Sequence, residues 1–248
     1  MQNPSSLPPK PFAEKYQPEL TRLPEYTLGR RIARWGLILL SRLLVFLRTR
    51  LAVRGLDNFP ERGPGLIVLN HLGDSDIAII LSQLPTRNVD ILGASNLHDD
   101  LPWVGTLGDL YGVIWLHRGR PDRRALTCAL EALKLERFVS IAPEGRESMV
   151  GGLEQGLDGA AFLALKADAP LIPVVVTGTE HPRIGNFRVW GQRPRVTMTV
   201  GKPFRLEAGH DRHESLRLGT ERIMRELARL LPPEYQGMYR ETNNREDS

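Results

Sequence analysis

Leu66-Ile67-Val68-Leu69-Asn70-His71-Leu72-Gly73-Asp74-Ser75-Asp76-Ile77-Ala78-Ile79-Ile80-Leu81 changes character twice within sixteen residues. Leu66–Leu69 is short, apolar and β-branched, the pattern of a buried strand. Ile77–Leu81, with Leu84, reads as a helix that ends near Pro85. His71 therefore stands where a strand gives way to a helix, and in open α/β sheets ligand sites collect at such places. His71 and Asp76 are five apart, so on one continuous helix they would not share a face. Contact between them requires His71 on the turn and Asp76 in the first helical turn, with Asp74 or Ser75 as N-cap. A carboxylate would then hold one ring nitrogen and fix the tautomer, and the other nitrogen would accept a proton from an incoming hydroxyl. A third member, a nucleophilic Ser or Cys, is missing, which points to a substrate alcohol. A lone His-x4-Asp pair also arises as a hydrogen-bonded turn residue beside a helix-start charge.

Downstream, strands and helices alternate. Val89–Ala94 reads as a strand, and residues 96–111 as irregular but apolar, suited either to line an apolar cavity or to pack on the core. Gly112-Val113-Ile114-Trp115-Leu116-His117-Arg118 reads as a strand emptying onto a basic end, and Pro121-Asp122 opens a helix to about Arg137. Arg118, at a strand end and before a helix start, is well placed for an anion, or is a solvated loop arginine. Phe138–Ala142 is a further strand, followed by Pro143-Glu144-Gly145-Arg146-Glu147-Ser148 and a glycine-rich loop that lacks the lysine-Ser/Thr ending of a P-loop. Glu144 either orients a substrate or pairs with an arginine. A short helix over 157–168, a buried strand Pro170–Val176, late strands Phe187–Trp190 and Arg195–Val200, and a helix Arg212–Leu231 complete the chain. The class is α/β: a central mixed, largely parallel sheet flanked by helices, with an N-terminal basic amphipathic helical segment.

The 248 residues fit one such domain with a small extension. One cysteine, Cys128, excludes an internal disulfide and points to a reducing compartment; a place in helix packing is its default role. Residues 1–26 are a Pro-rich flexible arm without the pattern of a secretory signal, and 236–248 a polar tail. Between 27 and 56 lie seven arginines (Arg30, Arg31, Arg34, Arg42, Arg48, Arg50, Arg54) and no acid. They are interleaved with Leu28, Ile32, Trp35, Leu39, Leu43, Phe46 and Leu47 at spacings of three and four. Residues 27–54 are too interrupted to span a bilayer, which needs about 20 mostly apolar residues. They suit an interfacial helix with arginine on its wet side, or a hairpin broken at Gly36 or Ser41. The alternative is a helix packed on its own domain with solvated arginines. The pI near 9.4 invites an acidic partner, but the arginines alternate with bulky apolar residues and no nucleic-acid motif appears.

Four blocks stand in order: Asn70-His71-x4-Asp76, Gly112–Arg118, Ala142-Pro143-Glu144-Gly145 and Leu171-Ile172-Pro173-Val174. Together they resemble the glycerolipid (lysophospholipid) acyltransferase superfamily, 1-acyl-sn-glycerol-3-phosphate acyltransferase-like, over roughly residues 55–205 of the acyltransferase domain 55–235. The resemblance implies a catalytic His71 oriented by Asp76, with Arg118 and neighbours on the acceptor phosphate and Glu144, Gly145 and Arg146 shaping that site. It also implies a lysophospholipid acceptor, acyl-CoA or acyl carrier protein as co-substrate with no bound cofactor, and a peripheral or monotopic place on the cytoplasmic face of a membrane. The alternatives are another alcohol acceptor or a non-catalytic lipid binder. His98, His117 and His181 are scattered without ligand spacing, so no metal is expected. The third block departs from the family's glycine-threonine-arginine-serine: Arg146 takes the threonine position and Glu147 the arginine position, and a carboxylate near a phosphate is repulsive. Trp115 and His117 stand where smaller or acidic residues are common, and Gly73 where a small hydroxyl residue is frequent.

Overall fold

The computed structural model describes residues 14–240 apart from 74, 87, 120 and 181–192. Asp74, His181, the expected strand Phe187–Trp190, the first half of the Pro-rich arm and the end of the polar tail lie outside the described residues. Seven strands form one sheet in the order β1-β7-β6-β2-β5-β3-β4. They are β1 (Arg50–Arg54), β2 (Gly65–Leu69), β3 (Val89–Ala94), β4 (Ile114–Leu116), β5 (Phe138–Ile141), β6 (Leu171–Thr177) and β7 (Arg195–Val200). Every neighbouring pair is parallel except β6–β7. The mixed, largely parallel sheet is the one expected.

Helices cover both faces. α2 (Asp76–Gln83) leaves β2, and α5 (Arg123–Lys134), α6 (Gly159–Ala167) and α7 (Arg212–Leu230) occupy the opposite face. The chain steps from β2 outward to β3 and β4, then returns through β5 to β6. Right-handed crossovers in opposite directions place their helices on opposite faces. β2 and β5 are therefore adjacent strands whose following helices diverge, and a crevice opens at their carboxyl ends. β2 is buried throughout (Leu66, Ile67, Val68) because apolar layers cover it on both faces.

Of the two forms expected for the N-terminal segment, helix or hairpin, the structure holds the helix, and it departs from expectation in where the segment ends and where two arginines lie. Helix α1 (Leu28–Arg48) is capped by the Thr27 hydroxyl and runs through Gly36 and Ser41 without a break. The expected segment 27–54 then divides: Thr49 is extended, and Arg50–Arg54 alternates as an edge strand, parallel to β7. The apolar stripe faces outward, and two of the arginines expected on the wet side are buried. Leu28, Ile32, Trp35, Leu39, Leu43, Phe46 and Leu47 are exposed, Phe46 at 66%, whereas Arg34 and Arg48 are buried beside Ile38 and Val45. Arg34 donates to Asp90 at 2.6 Å and to the Tyr111 carbonyl at 2.7 Å, and its guanidinium stacks over Tyr26 and Tyr111. Arg42 donates to the Ser82 carbonyl at the end of α2, where a cation meets the negative helix pole. Arginine thus attaches α1 to the domain, and the apolar stripe faces outward. No helix among the described residues is long and apolar enough to cross a membrane.

Residues 96–111, expected to be irregular, form α3 (Leu97–Asp100) and α4 (Pro102–Tyr111). Pro102 opens α4 and a left-handed Gly112 closes it, which also shortens the expected strand to β4. Gly108 lets α4 approach the sheet: a Cβ there would meet the Trp115 ring at 2.5 Å. Tyr111 is buried, and Leu101, Trp103, Leu107 and Leu110 are exposed. α4 packs beside α1.

Candidate active site

At the end of β2 the Asn70 side chain continues the sheet. Its amide donates to the Val176 carbonyl and accepts from the Val176 N–H, both at 2.8 Å. The chain then turns sharply at Gly73, where a Cβ would stand 2.7 Å from the Thr179 carbonyl oxygen. A hydroxyl residue at that place would have to displace backbone, so this glycine has a structural reason.

Asp76 is the first residue of α2 and is fully buried. Its Oδ2 lies 3.0 Å from His71 Nδ1 and accepts the N–H groups of Leu72 (2.7 Å) and Gly73 (3.0 Å). Ser75 occupies the N-cap position without a side-chain capping bond. Carboxylate, helix pole and turn thus fix one another: the positive end of α2 favours the charge of Asp76, and Asp76 orders the turn that carries His71. Oδ1 is buried with no hydrogen-bond partner among the described residues, so the carboxylate acts through Oδ2.

The His71 ring is about one-third exposed (32%). With Nδ1 turned to Asp76, Nε2 is the nitrogen a substrate can reach. Burial lowers the pKa of His71, but the hydrogen bond and charge of Asp76, then the charges of Glu147 and Glu144, outweigh it and leave it above 6.5. A raised pKa makes a stronger base, the property that proton abstraction from an alcohol needs.

The loop after β5 clamps the backbone of His71. Glu144 Oε1 accepts its N–H at 3.3 Å, and its carbonyl accepts the Ser148 N–H at 2.7 Å. Glu144 Oε2 accepts the Glu154 N–H at 2.7 Å. Glu144 is buried, and burial pushes its carboxyl up to about 7, against the pull of those two N–H groups. Glu144, expected to shape the acceptor site, also holds the His71 backbone. Gly145, at φ +75°, makes the tight turn that returns the chain to the Ala142 carbonyl. Arg146 is engaged by Glu154: its Nε donates to Oε2 at 3.0 Å, and Oε1 of the same carboxylate accepts the Met149 N–H.

Arg118 follows β4, three strands from β2, or about 14 Å along the same carboxyl edge. Its Nε donates to Glu14 and its Nη2 to Asn96 at 2.9 Å. Between it and the sheet lies a second histidine–aspartate pair. His117 Nδ1 is 2.6 Å from Asp122 Oδ2, and the His117 N–H donates to the same oxygen at 3.1 Å. Asp122 Oδ1 caps α5 by accepting from Arg124 and Ala125. His117 is fully buried, and its Nε2 accepts the Gln17 N–H at 2.9 Å. His98 packs on Trp115, and no metal-ligating cluster occurs among the described residues.

The family model described as Acyltransferase matches residues 50–177. The chain belongs to the acyltransferase family. The match runs from β1 through β6 and so includes both His–Asp pairs and the loop after β5. Among curated relatives of this acyltransferase are mouse 1-acyl-sn-glycerol-3-phosphate acyltransferase alpha, 31% identical over 134 residues (52% of this chain, 45% of the relative), and 1-acyl-sn-glycerol-3-phosphate acyltransferase of Borreliella burgdorferi, 27% identical over 141 residues (56% and 55%). The chain spans about half the length of the curated relatives it matches. The crystal structure of the 1-acyl-sn-glycerophosphate (LPA) acyltransferase PlsC from Thermotoga maritima superposes with a TM-score of 0.61 at 22% identity, over 83% of this chain and 84% of that one, and shares the fold.

Three features escaped the sequence reading. Asn70 was quoted without a role, although an amide just past a strand end is a recognisable extension of it. Glu154 carried no signal, because its partnership with Arg146 depends on the loop's path. His117-x4-Asp122 repeats the spacing of His71-x4-Asp76 and was open to view.

Proposed function

We propose that the chain is an O-acyltransferase that moves a fatty acyl group from acyl-CoA or acyl carrier protein to the free hydroxyl of a lysophospholipid of the 1-acyl-glycerol-3-phosphate class, giving phosphatidate. The observation that carries this reading is the His71 ring, partly exposed at the β2/β5 crevice with Nδ1 committed to Asp76. His71 Nε2 takes the hydroxyl proton as the oxygen attacks the thioester carbonyl. The C–O bond forms, the C–S bond breaks, and the imidazolium returns the proton to the leaving thiolate. The chain needs no nucleophile of its own. Arg118 is the residue that would bind the acceptor phosphate, by a guanidinium fork.

The outward apolar face of α1 supports a membrane site of action. An exposed stripe with Trp35 and Phe46, flanked by Arg31, Arg50 and Arg54, suits the interface of an anionic bilayer. The protein would work there as a peripheral or monotopic enzyme on the cytoplasmic face. Deleting residues 1–54 should release it from anionic vesicles; unchanged binding would refute this placement.

Acyl transfer from palmitoyl-CoA to lysophosphatidate in detergent micelles tests the reaction. Activity that disappears in His71→Ala supports it, and activity unaffected by the substitution overturns the mechanism. One observation favours a second acceptor: Arg146 is engaged by Glu154, and Glu147 adds negative charge near His71. A higher kcat/KM for a lysolipid without a phosphomonoester, in a side-by-side assay, would select that reading.

A further inference from the structure

We propose that Glu14 occupies the place of the acceptor's anion on Arg118, so that a phosphomonoester reaches this arginine only when the N-terminal strap lifts from the end of β4. The inference rests on the reading of Arg118 as the acceptor-phosphate residue.

The strap, residues 14–21, crosses the carboxyl end of β4. The Glu14 carboxylate accepts from Arg118 Nε at 2.5 Å and from Ser95 Oγ at 2.7 Å. Burial alone would raise its pKa, but those two hydrogen bonds and the guanidinium charge hold it below 4.5. An ionised carboxylate in a nest of guanidinium and hydroxyl donors uses the same donors that a phosphate would use. Beside it is a small cavity of about 80 Å³, with Lys15, Ser95, Asn96, Gln17 and Asp99 around Glu14. Lys15 adds a second cation, and Gln17 Nε2 engages Asp99 at 3.3 Å. The donors a phosphomonoester would use are therefore present, and the chain's own anion sits on them.

The strap has a firm end and a light end. Thr21 is fully buried; its hydroxyl donates to the Trp115 carbonyl at 2.8 Å, and its carbonyl accepts from Arg124. Ahead of it, residues 14–17 have no regular secondary structure and residues 18–20 form a turn. The Gln17 N–H on His117 Nε2 and the Tyr16 ring edge against the same imidazole (4.9 Å) hold that part down, along with the Glu14 contacts. The sealed His117–Asp122 pair is thus the anchorage of the strap, and lifting the strap would expose its Nε2 together with Arg118.

Competition of this kind lowers apparent affinity by the fraction of molecules with the strap open. The test uses the full chain, with sn-glycerol 3-phosphate as a soluble headgroup probe, followed by calorimetry and by amide exchange at Gln17. Glu14→Gln keeps the shape and removes the charge. It should tighten binding by about tenfold if the strap is open roughly a tenth of the time. Arg118→Ala should abolish binding, and in the wild type the Gln17 amide should exchange faster when the probe is bound. Probe binding is read without any acyl donor, so it does not depend on transfer taking place, which separates this inference from the acyl-transfer reading. Unchanged or weaker binding in Glu14→Gln, a Gln17 amide equally protected with and without probe, or no binding by any form would overturn it.

Discussion

Two histidine–aspartate pairs of equal spacing sit on one edge of one sheet. In each, the histidine follows a parallel strand, its Nδ1 meets an aspartate at 3.0 Å (His71–Asp76) or 2.6 Å (His117–Asp122), and the same aspartate oxygen accepts a backbone N–H of the turn. They differ at the far nitrogen. His71 is about one-third exposed, whereas His117 is fully buried and holds the Gln17 N–H. His-x4-Asp is thus first a solution to a local problem: a strand becomes a helix, the helix pole favours a carboxylate, and the carboxylate orders the turn. Under the proposed function, chemistry begins where the second ring nitrogen is left open.

The comparison breaks most sharply at His71. His71→Ala should lower kcat by roughly 10³-fold, within the range typical of a lost general base, while His117→Ala should leave kcat within a few-fold. Equal losses in a micellar assay would erase the distinction between the pairs. Asp76→Asn should reduce kcat by about 10²-fold with little change in KM, because it acts through the ring it orients.

The pH profile sharpens the same contrast. His71 must be neutral to accept a proton, and its pKa is raised above 6.5. The rate should therefore climb with pH through a midpoint above 6.5 and fall away in acid. Asp76→Asn removes the partner that raises it, so the midpoint should move to lower pH. A profile flat between pH 5 and 8 would exclude His71 as the titrating base.

The sealed pair should show itself in stability. His117→Ala leaves Asp122 and the Gln17 N–H without their partner, and should cost about 2 kcal/mol in denaturant unfolding. Last comes Glu144, which braces the open pair. Its folded pKa of about 7 lies above the 4.5 of the exposed group, so the folded chain holds an extra proton between those values. Its contribution to stability therefore falls as pH rises from 4.5 to 7. Glu144→Gln should remove that slope from a plot of unfolding free energy against pH.

The βα unit around His71 was legible because burial on both sides makes a strand uniformly apolar and a helix start gathers acids. The sheet followed from the alternation of such units. Helix α1 was half legible: its periodicity was plain, yet which face turns inward depends on Asp90 and Tyr111, 56 and 77 residues downstream of Arg34. Pattern reading puts every arginine on the wet side, and here Arg34 is buried with an acid, two carbonyls and two rings. The intramolecular partners of Glu144, Gly145 and Arg146 met the same limit: their contacts with the backbone of His71 and with Glu154 depend on the path of the loop.

Helix α1 has a practical side for anyone handling the protein. Its attachment depends on Arg34, Arg42, Ile38 and Val45, whereas Leu39, Leu43 and Phe46 face outward. Leu39, Leu43 and Phe46 can then be exchanged for glutamate or lysine as a solubilising redesign. The melting temperature would stay the same, and the chemistry proposed at His71 could be followed on water-soluble short-chain acceptors, separated from any lipid surface.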